Sequence, residues 1–127
     1  MSKITFKTGL DISMKILKIL KKDKSIKGIE VYVGCFTNSR EVGLTYAVEN
    51  KKHESFTFCT YEHRNSDCII INGKEGYVSS SDELPYISDS KWECLGCAGY
   101  EQYDEAAKIL AKLIKDFHNG KTPTKCN

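Results

Sequence analysis

Residues 56–71 read Phe-Thr-Phe-Cys-Thr-Tyr-Glu-His-Arg-Asn-Ser-Asp-Cys-Ile-Ile-Ile. The runs 56–60 and 68–71 are apolar or β-branched, which is typical of strands. The stretch between them, 61–67, is dominated by polar side chains and predicts the connection of a hairpin. Consecutive strands that are joined by short turns pair antiparallel. This part of the chain therefore predicts an antiparallel sheet as the centre of the fold.

Working outward, the alternation of apolar and polar residues predicts further strands on both sides of this hairpin. The three isoleucines at 69–71 are typical of a strand that is buried on both faces, so we place it centrally. Asn72-Gly73 is a strong hairpin signal, and a short edge strand is expected to follow it. The predicted strands are 29–35, 42–48, 55–61, 68–71 and 76–79.

Two amphipathic helices flank the strands. Thr8-x-x-Asp11 resembles a capping box, and apolar residues at helical spacing follow it to about residue 22. The second helix begins near Tyr103 and ends before Gly120. The order α-β-β-β-β-β-α predicts an α+β fold, with an antiparallel sheet of four to five strands covered on one face by an N-terminal and a C-terminal helix.

The length of 127 residues suits one domain. We expect a single domain over 1–120 and a flexible tail over 121–127. No apolar run approaches the roughly 20 residues that span a bilayer, and the first residues lack the apolar segment of a secretory signal. We therefore expect a cytoplasmic protein whose six cysteines are reduced thiols and which does not bind a membrane.

The charge is unevenly spread along the chain. Residues 1–27 hold eight lysines and two aspartates, a net of +6, whereas residues 82–105 hold seven acids and one lysine, a net of −6. Segments of opposite sign attract each other within one fold or between two copies, so a homodimer is one expectation. Two solvated surfaces of opposite sign are the simpler interpretation.

The hairpin connection is the first candidate for a functional site, because a plain turn needs only Gly, Asn or Asp. Arginine suits a carboxylate or a phosphate. In a hydrolase, His63 would act as a general base that Asp67 or Glu62 orients. In a purely structural turn, the same side chains would satisfy local backbone groups. The candidate binding residues are Tyr61, Glu62, His63, Arg64, Asn65 and Asp67.

Cys94-x-x-Cys97 is the second candidate. A structural zinc site needs four ligands, and the remaining cysteines and histidines offer no second closely spaced pair. A thioredoxin-like motif needs a βαβ unit, which the predicted elements do not form. We therefore interpret the two thiols as packed near Trp92 and expect no bound metal and no cofactor, with zinc binding by Cys94 and Cys97 as the alternative.

Aromatic residues interleave with the acids of residues 82–105 and form the third candidate. Tyrosine and tryptophan are favoured anchors of protein interfaces. The alternative is a solvated loop whose aromatic rings cover the edge of the core. The candidate interface residues are Tyr86, Trp92, Tyr100 and Tyr103.

A lysine stripe on the first helix, formed by Lys15, Lys18 and Lys22, is the fourth candidate and suits a nucleic acid. The element order resembles that of double-stranded-RNA-binding domains, which run α-β-β-β-α and contact phosphates at the start of their last helix. Here residues 100–105 are Tyr-Glu-Gln-Tyr-Asp-Glu, which would repel a phosphate backbone. We therefore rank nucleic acid below a protein or a small ligand.

The segment 58–73, Phe-Cys-Thr-Tyr-Glu-His-Arg-Asn-Ser-Asp-Cys-Ile-Ile-Ile-Asn-Gly, resembles a segment of small accessory proteins of bacteriophages and mobile elements. The lysine-rich, arginine-poor composition is similar to theirs. The resemblance implies a non-enzymatic binding protein that blocks a host protein, such as a defence protein, or sequesters a small anionic or nucleotide ligand. Nucleic-acid binding through the lysine stripe and a small hydrolase using His63 stay as alternatives.

Overall fold

The computed structural model describes residues 6–37, 42–63, 68–77 and 92–124. The helices are α1, Phe6–Lys21, and α2, Tyr103–His118, with a short 3-10 helix at Lys24–Ile26. The strands are β1, Val31–Thr37; β2, Val42–Glu49; β3, Ser55–His63; β4, Cys68–Glu75; and β5, Glu93–Ala98. They form one open sheet in the order β1-β2-β3-β4-β5, with every pair antiparallel. The predicted α+β class and element order are confirmed.

Both helices pack on the same face of the sheet and form the main core with it. Alternation along the strands supplies this face: Tyr46 pairs with Phe58 across β2 and β3, and both side chains are fully buried. The ring of Phe56 lies 4.8 Å from that of Phe58 and 5.4 Å from that of Phe117, measured between ring centres. Each such buried side chain contributes roughly 1.5–3 kcal/mol. Within the described helices, none is long and apolar enough to cross a membrane.

A short polar contact ties α1 to the middle of the sheet. The Ser13 hydroxyl donates a hydrogen bond to the Thr60 carbonyl oxygen at 3.1 Å, and the hydroxyls of Tyr46 and Thr60 lie 3.1 Å apart. Burial raises the pKa of Tyr46 well above its usual range. These groups satisfy one another inside the apolar core, as buried polar groups must.

The turn predicted at Asn72-Gly73 is wrong, because β4 continues through both residues to Glu75. Gly73 serves close packing instead: a Cβ there would lie 2.4 Å from side-chain atoms of both Leu95 and Phe56. The left-handed φ of +90° belongs to Gly76, just after the strand.

The fifth strand also differs from the expectation. Gly76 and Tyr77 lie outside any strand, residues 78–79 fall outside the described part of the chain, and β5 is formed by Glu93–Ala98. The three isoleucines lie inside the sheet, between β3 and β5. Helix α1 begins before the predicted start and includes Thr8, so the predicted capping box is wrong.

Candidate binding groove

The polar stretch predicted as the main contact falls largely outside the described residues. Strand β3 ends at His63 and β4 begins at Cys68, so Arg64, Asn65 and Asp67 are not described. The backbone of Glu62 and His63 lies in β3, but their side chains are outside the description. The binding and hydrolase hypotheses that rest on these side chains stay predictions from the sequence.

Tyr61 is the exception, and its position does not fit the surface contact that we expected for it. Only 2% of the residue is exposed, and it packs with Cys59, Trp92 and Ile70 on the sheet face opposite the helices. The Asn72 side-chain amide donates a hydrogen bond to the Tyr61 hydroxyl at 3.2 Å. The ring is therefore part of a second buried cluster.

The described members of the predicted aromatic interface differ in their exposure. Tyr86 lies outside the described residues, Trp92 is buried, and Tyr100 is exposed. Tyr103 is half-buried and opens α2, where it lines a hollow of about 860 Å³ together with the carboxylates of Glu101, Asp104 and Glu105. Only Tyr100 and Tyr103 are thus accessible among the described members of this set.

The five described cysteines carry thiols and form no disulfide. Leu95 is the extra residue of a bulge opposite Ile71 and Asn72. The bulge lets the Leu95 side chain join the core, while Cys94 and Cys97 pair with residues whose side chains lie on the opposite face.

Burial raises the pKa of the Cys59 thiol well above its usual range. Within residues 6–37, 42–63, 68–77 and 92–124, no three metal-ligating side chains cluster; the expectation of no metal stays a prediction.

The strongest charge cluster of the described chain surrounds the end of α1. Residues 15–27 hold six lysines and one aspartate, a net charge of +5. None of the lysines forms a salt bridge with a described residue, whereas Lys15 places its ammonium 5.1 Å from the centre of the Tyr103 ring. All six side chains are exposed: Lys15, Lys18, Lys21, Lys22, Lys24 and Lys27.

These lysines border a groove of about 420 Å³ between α1, the 3-10 helix and β1, which we call the lysine groove. Its floor is apolar and its rim is basic. The floor is formed by Leu17, Leu20, Ile26, Ile29, Val31 and Val33, and the rim by Lys21, Lys22, Asp23, Lys24 and Lys27.

The groove exists because the helix layer does not extend over the first strand. The apolar side of α1 packs on β2 and β3, and β1 lies beyond them at the edge of the sheet. Val31 and Val33 pair with the core residues Val48 and Tyr46, so their side chains face the helix side. Val33 is nevertheless 44% exposed, since nothing among the described residues covers it.

Local structure fixes the basic rim. The Asp23 carboxylate accepts hydrogen bonds from the Ser25 amide at 2.8 Å and from the Ser25 hydroxyl at 2.6 Å. The hydroxyl contact is the main reason that the pKa of Asp23 lies below its usual range. Gly28, with φ +89°, then turns the chain toward β1. The single acid of the rim is thus occupied locally, and the rim lysines form no salt bridge with another described residue.

A second hollow, of about 570 Å³, continues along α1 and shares Leu17 and Lys21 with the lysine groove. Met14 adds an exposed apolar side chain there, beside Lys15, Lys18 and the single acid Asp11. The predicted lysine stripe is thus solvent-exposed as expected and forms one flank of a larger basic surface.

The lysine groove combines charged and apolar groups. Lysine ammonium groups pair with carboxylates or phosphates, and their alkyl stems cover apolar surface. Among the described residues that line the groove, the titratable groups are four lysines and Asp23. The arrangement therefore suits a ligand that is both acidic and apolar.

Sequence reasoning missed Lys21, Lys24 and Lys27 as site residues and placed Val31 and Val33 in a strand without a binding role. The density of lysines just before Gly28 was the available signal. That α1 leaves β1 uncovered is a property of tertiary packing, which the periodicity of either element does not contain.

Comparisons with protein-family models, with curated proteins and with solved structures find no match to this chain. The resemblance of residues 58–73 to accessory proteins of phages and mobile elements therefore stays a prediction, and the function is argued from the chain's own residues.

Proposed function

We propose that this protein is a non-enzymatic binding protein that engages an acidic segment of a partner protein in the lysine groove. The observation that carries the proposal is the combination of an apolar floor with a basic rim whose lysines form no salt bridge with a described residue. Lysines alone would suit any anion. The exposed floor residue Val33 and its neighbours bind a ligand that carries apolar side chains as well.

The resemblance of residues 58–73 supports a host protein as the partner, because such accessory proteins often act by occupying host machinery. On this proposal the protein blocks its target by covering a surface of it, and no reaction is needed. A small anionic ligand would use the rim but would leave the apolar floor in contact with water.

A nucleic acid is the second candidate, because six exposed lysines lie within residues 15–27. Duplex binding is driven by phosphate contacts and needs no apolar floor. Exposed acids also mark the start of α2 in the same helix layer: Glu101 lies just before α2, and Asp104 and Glu105 lie in its first turn. These two observations favour the protein partner.

The test uses a probe peptide with blocked ends that combines both chemistries, Val-Thr-Val-Thr-Val-Glu-Glu-Glu, and a labelled DNA duplex. The triple variant Lys21→Glu/Lys24→Glu/Lys27→Glu reverses the rim. Exposed charge pairs contribute about 0.2–1 kcal/mol each, so we expect the variant to bind the peptide about tenfold more weakly or worse. Fluorescence anisotropy measures both ligands.

The matched control is Lys51→Glu/Lys52→Glu/Lys108→Glu, which has the same net charge and changes exposed lysines that do not line the groove. It should bind the peptide within about twofold of the parent. Equal losses in both variants would reduce the effect to net charge. If only the duplex bound, with an affinity falling steeply between about 50 and 200 mM salt, the nucleic-acid candidate would replace the proposal.

A further inference from the structure

The first strand leaves one side of its backbone unpaired. β1 pairs with β2 over seven consecutive residues, from Val31 to Thr37, and no other described strand lies beside it. On the outer side of such a strand, every second residue directs its N–H and C=O away from the sheet. β1 is therefore a template on which a further strand can pair.

The two edges of the sheet differ in how well they are protected. Proteins guard edges with lysines, prolines, bulges or a covering element. β5 begins with the charged Glu93 and pairs with β4 through a bulge. β1 reads Val-Tyr-Val-Gly-Cys-Phe-Thr and has no bulge in its pairing with β2. Its Tyr32 is 54% exposed and its Val33 is 44% exposed, so the described residues leave both faces of this edge partly uncovered.

The lysine groove lies beside this same edge. An added strand would run about 4.8 Å from β1 and direct every second side chain to the helix side. There those side chains would meet the floor around Val31 and Val33. β1 begins only four residues after Lys27, so the basic rim lies at the N-terminal end of β1.

We infer that the acidic segment of the partner binds as an additional strand on the outer edge of β1, an inference that rests on the proposed function. Antiparallel pairing is the more stable arrangement. In that direction the C-terminal end of the segment reaches the basic rim. The occupant is thus an extended segment with alternating apolar residues followed by acidic residues, which is the order of the probe peptide.

The experiment compares the probe peptide with two N-methylated versions. One version is methylated on alternate amides along one edge of the peptide strand, and the other on the remaining amides. Pairing uses only one edge, so we expect one version to bind about tenfold more weakly or worse and the other to bind like the unmodified peptide. Amide hydrogen exchange by NMR should slow at alternate residues of β1.

Each other outcome has a distinct meaning. If both methylated peptides bind equally and exchange in β1 is unchanged, the segment lies in the groove without pairing; this inference fails and the proposed function stands. If none of the peptides binds, both this inference and the proposed function are overturned. If β1 amides are protected without peptide in a dimeric protein, a second copy occupies the edge and the inference is overturned.

The direction of the added strand has its own control. The reversed peptide, Glu-Glu-Glu-Val-Thr-Val-Thr-Val, places its acids at the opposite end. Antiparallel pairing predicts that this peptide binds more weakly than the probe, because its acids lie away from Lys24 and Lys27. Equal binding of the two peptides would overturn the antiparallel assignment.

Discussion

On the helix-facing side of the sheet, the fully buried side chains are mainly aromatic and aliphatic, whereas on the opposite side they are threonine, cysteine, asparagine and tyrosine. Phe58 and Thr57 are adjacent residues of β3 on opposite sides, and both are completely buried. Equally buried side chains are thus stabilised by different interactions on the two sides. The first side gains free energy from apolar area and close packing, and the second must satisfy each polar group it buries.

The hydrogen bonds of the second side show this requirement. The Thr57 hydroxyl donates to the Gly76 carbonyl oxygen at 2.8 Å, and the Asn72 amide donates to the Tyr61 hydroxyl. The Asn72 side-chain oxygen has no hydrogen-bond partner among the described residues. We therefore expect substitutions on the first side to act through lost volume and substitutions on the second side through lost hydrogen bonds.

The largest contrast should come from the two adjacent residues. Phe58→Ala removes a ring from the packed side and leaves a cavity, so we expect a loss of about 3–5 kcal/mol in the free energy of unfolding. Thr57→Ala removes a methyl group and a hydrogen bond, so we expect a smaller loss of about 1–2 kcal/mol in the free energy of unfolding. Urea unfolding measures both. Equal losses would show that the two sides are not stabilised differently.

Two glycines test the same contrast through added volume. Gly73→Ala would place a methyl group 2.4 Å from atoms of Leu95 and Phe56 on the helix side, and such overpacking costs about 1–3 kcal/mol. Gly34→Ala, on the opposite side, would meet only the Thr45 hydroxyl at 3.0 Å. The Thr45 side chain can rotate away, so we expect Gly34→Ala to lower the free energy of unfolding by less than about 1 kcal/mol. A Gly34 variant that is the less stable of the two would contradict this ranking.

The elements that sequence reasoning predicted well are those whose pattern is local. β2, β3 and α2 follow their periods of 2 and 3.6 residues, and their bounds came out close to the structure. Gly73 misled the prediction, because an Asn-Gly pair is a local turn signal while its role here is long-range packing against Phe56. Local propensity does not predict this packing, because Phe56 and Leu95, the two residues that Gly73 packs against, both lie far from it along the chain.

The candidate site was less accessible to sequence reasoning. The lysines of residues 15–27 are visible as a cluster, but the apolar floor beside them depends on where α1 sits over the sheet. Tyr61 was assigned to a surface contact because it adjoins a polar run. Strand alternation continues through it, and this places its ring beside Cys59 in a buried cluster.

The last prediction is a pH dependence that belongs to the second side. Burial raises the pKa of the Cys59 thiol, so the neutral thiol is favoured in the folded state. The stability it supports is fully present below the unfolded thiol pKa of about 8.5 and is lost as the pH rises above it. One pH unit above that pKa, the loss in the free energy of unfolding should reach about 1.4 kcal/mol.

Cys59→Ala should flatten this decline in the free energy of unfolding between about pH 8 and 9.5, as measured by urea unfolding. Thr57→Ala, two residues away on the same side, is also destabilised but has no titrating group, so its decline should match that of the parent. If the Cys59 variant declined as steeply as the parent, the buried thiol would not be the cause.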